Sequence, residues 1–485
     1  MQTVIVTDDP SGWSFLDRLS TIISSQEYLS DEIFQQAKDL RIINLCSSYE
    51  HQTIGYYVSL LAQARDHKAI PSVHSIQDVI NGYLSKVISQ DLDDEMQHSL
   101  RDIKGDDFIL SLYFGQNVAK RYTNLAKKLY GLFPLPMLRF ILVRKRQKWQ
   151  IKATYPLALK DVAPSHLEFM QDAAKSYLSK KRVYQWRKKQ RFHSLAILVD
   201  PHEKNPPSNS KALQNFINAG EAKGINVDLI EKNISKGIAE YDALFIRTTT
   251  AINHYTYRIA RRATQENLVV IDDPQSIIKC CNKIYLAELM KNHHILTPLT
   301  TFISKYDTVM PKLSYPCVLK RPDGAFSHGV VKIEDEKMLR KHLKQFFKSS
   351  DLVLAQTFIP TKFDWRIGII NNKPLFACRY FMVEGHWQIY NWDTEDGKLG
   401  GSCETVPLDK VPKSVIKIAL KATRLIGDGL YGVDIKSVKN KDYVIEVNDN
   451  PSIDFGVEDL VLGDGVYAEI MQVFLERIRR KHGYA

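Results

Sequence analysis

Nowhere in this 485-residue chain do about 18 uncharged apolar residues run together, so no segment can satisfy a bilayer core. The start, Met1-Gln-Thr-Val-Ile-Val-Thr-Asp-Asp, reads as a short strand entering an acidic loop; it lacks the basic region, apolar stretch and small-residue cleavage site of an export signal. Cysteine is scarce: six residues, scattered singly apart from Cys280-Cys281, with no C-x-x-C spacing for zinc or redox chemistry. A soluble protein in a reducing cytoplasm is expected. No G-x-G-x-x-G is present, which weakens any hydride-transfer reading, and no internal repeat or low-complexity tract appears.

Hydrophobic residues make up 44% and charged residues 25%, enough apolar material to offset the entropy of ordering the chain. The length suits roughly three domains of about 150 residues each. The net charge is +11, and its cations concentrate in Arg144-Lys-Arg-Gln-Lys148 and in Lys180 to Arg191, where Tyr184 and Trp186 interleave. That second stretch could stack bases and neutralise phosphates, attract an acidic substrate, or form a solvated helix face at a domain boundary; the last is the usual behaviour of charge runs. Nucleic acid is therefore the disfavoured partner. A homo-oligomer is compatible with the sequence.

Alternating strand and helix patterns divide the chain into an N-terminal α/β domain over 1–190, a small parallel-sheet unit over 191–275 and an α+β nucleotide clamp over 276–485. In the first, Val4-Ile-Val, Arg41 to Leu45, Phe108 to Phe114, Leu138 to Val143 and Trp149 to Ala153 read as strands, and Gly55 to Arg65 as a helix. No nucleophile, metal cluster or phosphate loop stands out there. The second unit places strands at 195–200, 225–230, 241–246 and 268–272.

The strongest chemical signal is Gly432-Val-Asp-Ile-Lys436 followed by Val444-Ile-Glu-Val-Asn-Asp-Asn-Pro-Ser452. On strands, Glu446 and Asn448 share a face because side chains repeat with period two, and Asp434 on the neighbouring strand can join them. A lone Asp on a strand is more often a surface residue, but polar groups on the inward face of apolar strands need partners, and hard oxygens of this kind suit magnesium. Lys320 ends an apolar run before the glycine-containing loop Arg321 to Gly329, and Lys283 sits on a helix; each could place a cation on phosphates, although such lysines are usually solvated. Gln356, Thr357, Phe358 and Ile359 leave a strand ahead of Pro360, where backbone and apolar walls could hold an adenine. Asp364-Trp-Arg366 offers a carboxylate for a ribose and a guanidinium for phosphate; Arg379 and Asn391 extend the polar set.

In this order the motifs resemble the ATP-grasp superfamily, closest to RimK-like glutamate ligases and next to prokaryotic glutathione synthetases, over about residues 193 to 485; the first 190 residues look like the N-terminal domain attached to some RimK-like ligases. The resemblance implies a pre-ATP-grasp domain at 191–275 and an ATP-grasp domain at 276–485. It implies ATP phosphates on Lys283 and Lys320, an adenine hinge at Gln356 to Ile359 and a ribose at Asp364. Magnesium, with Mn2+ as a substitute, would lie on Asp434, Glu446 and Asn448 as a pair of ions bridged by Glu446. Arg379 and Asn391 would stand near the transferring phosphoryl group with Arg366 as companion, and Asp396 to Ser402 resembles an acceptor-side loop. Thr357 stands where these enzymes tend to carry an acidic residue, so its side chain gets no role. The implied reaction is carboxylate–amine ligation through an acylphosphate, adding an amino acid such as glutamate to a peptide, protein tail or small acceptor. A glutathione-synthetase-like small-molecule ligase and a nucleotide- or RNA-binding module without ligase activity stay open as rivals.

Overall fold

The computed structural model describes residues 2–37, 40–65, 67–80, 90–185, 193–232, 237–323, 329–384, 387–389 and 401–481, with backbone alone for 90–91 and 180–185. Asn391, most of the loops 324–329 and 396–402, and the side chains of the basic stretch 180–191 lie outside the described residues. No described helix is long and apolar enough to cross a membrane, and all six cysteines are free.

The architecture is mixed α/β, as expected. The N-terminal region opens with a parallel sheet in the order Thr21–Ser24, Gln2–Thr7, Leu40–Asn44, Lys68–Ile70. A three-stranded antiparallel sheet, Asp107–Tyr113, Met137–Lys145 and Lys148–Pro156, follows it. The basic turn between its last two strands is a tight hairpin: Arg146 and Gln147 both take left-handed backbone, φ 49° and 63°, the geometry that matches strand twist in a two-residue loop. Both sheets share one apolar cluster, in which Ile5, Trp13 and Ile43 meet Tyr113, Met137 and Met170.

The second unit is a parallel sheet ordered Val269–Ile271, Ala243–Ile246, His193–Leu198, Ile225–Ile230. Ala243–Ile246 is buried at every position, the mark of a strand covered on both faces. A polar seam joins this unit to the N-terminal region: Arg41 Nη2 donates to Glu240 O at 2.8 Å, Ser75 Oγ to Glu266 Oε1 at 2.6 Å, and Lys68 lies 3.5 Å from Asp242. Burial without such partners would be costly for each of these groups.

The C-terminal clamp is built from two antiparallel sheets. The smaller runs Thr300–Ser304, Leu352–Thr357, Cys317–Lys320, Val330–Ile333 and is covered by the helix Glu336–Phe346. The larger runs Cys403–Thr405, Lys373–Phe381, Phe363–Ile370, Leu430–Val438, Lys441–Asp449. Behind the larger sheet the helix Lys413–Ile426 buries Val415, Ala419, Ala422 and Ile426, an i, i+4, i+7, i+11 stripe; burial of each large aliphatic side chain stabilises the pair by about 1.5–3 kcal/mol. The last helix, Gly465–Lys481, packs Tyr467 and Phe474 against Phe216 and Phe245 of the second unit, so the two units share one core. The other face of the large sheet, turned towards the small sheet and the second unit, is where polar side chains gather.

Candidate active site

Strand register brings the acidic motif together. Leu430–Val438 pairs antiparallel with Lys441–Asp449 so that Asp434 stands opposite Glu446 and Gly432 opposite Asn448, with a register shift just after Asp434. Asn448 Nδ2 donates to Asp434 Oδ2 at 3.1 Å. Phe363–Ile370, the neighbour on the other side, sets Arg366 opposite Asp434, and the guanidinium grips that carboxylate through Nε and, at 3.0 Å, Nη2. A side chain at Gly432 would bring its Cβ 2.9 Å from Arg366 Cδ and 2.8 Å from Pro451 Cβ; a glycine lets the arginine cross its strand to reach Asp434.

Cations enclose this cluster. Asn282 caps the helix Lys283–Asn292 by accepting from the Ile284 and Tyr285 amides, which fixes Lys283 at the first helical position; its ammonium lies 2.7 Å from Glu446 Oε1. Lys320 ends its strand buried and donates to Gln356 Oε1 at 2.7 Å, while Gln356 Nε2 donates to Thr300 Oγ1 at 3.0 Å. Lys436, two residues beyond Asp434 and so on the same face, reaches Asp364 Oδ1 at 2.6 Å, and Thr361 Oγ1 donates to the same oxygen at 3.0 Å.

The charges tune one another. Burial pushes the Asp434 carboxyl up, with Arg366 pulling it back. Burial also works to raise Glu446, but Lys283, Lys320 and Arg366 outweigh it and hold the carboxyl below its ordinary range. Lys320 falls to about 8: burial is the main cause and the cations Lys283 and Lys436 add to it, against the pull of Glu446 and Asp364.

Lys283, Lys320, Gln356, Thr357, Phe358, Ile359, Asp364, Arg366, Asp434, Glu446 and Asn448 all line one cavity of about 340 Å³. Val318, Met382 and Ile445 supply apolar wall at its hinge end, where Phe358 and Trp387 meet edge to face at 5.9 Å. In the hinge, Thr357 N–H donates to Leu299 O and Phe358 N–H to Pro316 O, whereas the Ile359 N–H has no backbone acceptor among the described residues.

Arg379 is the exception, and the expectation for it is corrected. It stands opposite Trp365, and therefore on the sheet face away from Arg366, with its guanidinium 4.9 Å from the Trp365 ring and 5.2 Å from that of Phe363; Glu404 is its carboxylate neighbour at 3.3 Å. It does not line the cavity.

The donor set fits magnesium by chemistry. Among the described residues no three His, Cys, Asp or Glu side chains gather for a metal, but two carboxylates and the Asn448 amide side chain do converge, and magnesium completes its shell with phosphate and water instead of an all-protein cage. Lys283 and Arg366 pair with the same carboxylates.

Several residues of the site went unassigned in the sequence. Lys436 is one, legible in retrospect from its period-two relation to Asp434. Arg247 is another: only 1% exposed, it follows the strand Ala243–Ile246 and donates to Asn450 Oδ1 at 2.9 Å, Ser208 Oγ at 2.8 Å and Pro451 O at 2.9 Å, and also to Pro207 O. Asp272 accepts from the Asn450 and Leu430 amides, the latter at 3.2 Å, and so fixes the same loop from below. Glu203 holds the segment beginning at Thr248 by accepting from Thr248 Oγ1 at 2.7 Å and Thr249 N at 3.1 Å. These groups sit at the carboxyl ends of parallel strands beside the point where strand order reverses, the usual place for a ligand crevice in such sheets. Arg247 reaches Asn450 and Pro451 across 203 and 204 residues, Asp272 reaches Asn450 across 178, and Glu203 reaches Thr248 across 45, so no local pattern announces them.

Residues 25–173 match the family model of the RimK-like ATPgrasp N-terminal domain, and residues 280–463 that of the RimK-like ATP-grasp domain. A probable alpha-L-glutamate ligase of Vibrio atlanticus is 26% identical over 280 residues, covering 53% of this chain and 89% of that protein. One of Shewanella loihica is 26% identical over 290 residues, covering 56% and 92%. Among solved structures, D-alanine–D-alanine ligase from Bacillus anthracis is 16% identical, covering 60% of this chain and 99% of its own, with a TM-score of 0.45. A RimK domain ATP-grasp protein from Sphaerobacter thermophilus is 15% identical, covering 58% and 99%, with a TM-score of 0.44.

Proposed function

We propose what the reaction is for a chain that belongs to the RimK-like ATP-grasp family, an ATP-dependent ligase: it joins a carboxylate to an amine through an acylphosphate, adding an amino acid such as glutamate to a peptide or protein acceptor. The observation that carries this reading is the convergence, in one cavity, of four cations (Lys283, Lys320, Arg366 and Lys436), a carboxylate–carboxylate–amide set and an apolar hinge. In that reading the chain divides into 1–190, 191–275 and 276–485, with the chemistry between the last two. Six free cysteines and the use of ATP fit the cytoplasm.

A carboxylate resists an amine at neutral pH because its oxygen leaves poorly. Phosphorylation by ATP turns that oxygen into phosphate, a good leaving group, and the amine then attacks the carbonyl carbon. The protein's part is position and electrostatics. Lys283 and Lys320 would neutralise the phosphate oxygens, Gln356 to Ile359 would frame the adenine, with the Ile359 N–H as donor to its edge, and Asp364 held by Lys436 would take a ribose hydroxyl. Arg366 lines the cavity with its guanidinium on Asp434 and would stabilise the charge that develops on the transferring phosphoryl group. Asp434, Glu446 and Asn448 would hold magnesium, which when bound screens the phosphate charges and orients them for transfer.

The test is to incubate a cell extract with the purified chain, Mg-ATP and isotope-labelled amino acids, and to read the added mass by mass spectrometry. Glutamate appearing on a peptide or protein supports the reading; label confined to small molecules would favour the glutathione-synthetase-like alternative. Glu446→Ala should abolish acceptor-dependent ADP formation with the fold intact, and full turnover by that variant would overturn the metal assignment.

A further inference from the structure

One ionisable group in the cavity wall has no task in the chemistry above. Asp449 follows the proposed metal ligand Asn448 but points to the other side of its strand, opposite Tyr431, towards Cys281 and the Thr249–Asn253 segment. It is 8% exposed and lines the cavity. Its Oδ1 accepts the weak thiol donor of Cys281, at 3.6 Å, the Thr250 hydroxyl stands against the same carboxyl group, and its Oδ2 has no hydrogen-bond partner among the described residues.

A buried carboxylate oxygen left unpaired is costly, and the surroundings sharpen the problem. Asp272, fully buried, is close enough for the Asp449 charge to help push its own carboxyl up, after the larger effect of burial. The nearby buried cation, Arg247, spends its donors on neutral acceptors: an amide oxygen, a hydroxyl and two carbonyls. Lys283 is turned to Glu446. This end of the cavity thus has carboxyl oxygens in excess of cationic donors, and one of them, the buried Oδ2 of Asp449, lacks a hydrogen-bond donor among the described residues. The Thr250 hydroxyl beside it can accept, and Ala251 and Ile252 bring apolar surface to the same wall.

We infer that Asp449, with Thr250 beside it, is the subsite for the primary ammonium group of an amino-acid substrate. An ammonium has three donors and no acceptor, which matches an unpartnered carboxylate oxygen flanked by a hydroxyl. A guanidinium would need a bidentate carboxylate, and here the second oxygen is turned to the Cys281 thiol. The inference deepens the ligase reading and rests on it only for the identity of the ligand as an amino acid.

The test compares wild type with Asp449→Asn, which keeps shape and removes charge. Both are loaded with magnesium and a nonhydrolysable ATP analogue, and binding of the twenty L-amino acids and of their N-acetyl derivatives is followed by thermal shift and calorimetry. Amino acids that bind wild type should bind D449N at least tenfold more weakly, and N-acetylation should abolish binding to the wild type. Apo D449N should melt at or above wild type, because an unpaired buried charge is removed; a merely structural aspartate would lower the melting temperature instead. Binding unchanged in D449N, binding that tolerates N-acetylation, or no binding of any free amino acid overturns the assignment. So does a loss of Mn2+ binding in D449N by electron paramagnetic resonance, which would move Asp449 into the metal set. ADP release is read separately with Mg-ATP, the bound amino acid and cell extract as the source of acceptor: Asp449-dependent binding without release refutes the ligase reading and leaves the subsite standing.

Discussion

Replacing Arg247 by alanine is the most discriminating perturbation, because this residue lies in the second unit and yet holds the loop that follows the proposed metal ligand Asn448. At 1% exposure it donates to Ser208, Asn450, Pro207 and Pro451. Alanine leaves those acceptors buried and unpaired at about 1–3 kcal/mol each, less what relaxation and entering water recover, and it opens a cavity beside Phe216 and Phe245. Two or three neutral acceptors left partly unpaired, with the cavity, total about 3–5 kcal/mol. The two C-terminal units share a core, so they should melt together, and for a body of that size about 2 °C per kcal/mol gives a fall of about 6–10 °C. The guanidinium stays charged throughout: burial lowers it only to about 10, and Asp272 and Asp454 support it. Activity should fall too, since a displacement of about 1 Å at a reacting centre lowers rates about 10²-fold. Arg247→Lys keeps the charge without the fork and should lie between. Thermal unfolding and amino-acid-dependent ADP release read the two effects. A melting temperature within about 2 °C of wild type, with unchanged kcat, would refute the reasoning.

Three further outcomes are expected. Lys320 is lowered to about 8, chiefly by burial, and a lysine loses its charge as pH rises through its pKa; KM for ATP should therefore climb above about pH 8, and Lys320→Met should flatten that limb of the profile. Lys436→Met strands Asp364, held at 2.6 Å in the wild type, and should raise KM for ATP about tenfold with little change in kcat, which steady-state kinetics would show. Arg379→Ala, on the sheet face away from the cavity, should leave ADP release within about twofold while lowering stability by about 1–2 kcal/mol through lost ring stacking; a hundredfold loss of activity would return Arg379 to the site.

Local pattern made much of this legible. Period-two alternation alone put Glu446 and Asn448 on one face, and an apolar run ending in Lys320 located a strand end at the cavity. The strands of the second unit were readable because continuous Val, Ile, Leu and Phe runs suit a sheet buried on both sides. The short strands Thr21–Ser24, Lys68–Ile70 and Thr300–Ser304 were missed, since three to five residues carry too little periodicity to separate from loop.

Which residue types lie on which side of each strand was therefore determined by the sequence, because alternation is a property of the backbone over a few residues. Which strands face each other, and in what register, was decided by tertiary structure: the Trp365–Arg379 pairing turned Arg379 away, and the docking of the second unit brought Arg247, Asp272 and Thr248 up to residues 430–451. Such contacts depend on how apolar faces distant in the chain bury one another, and no short stretch of sequence encodes that choice.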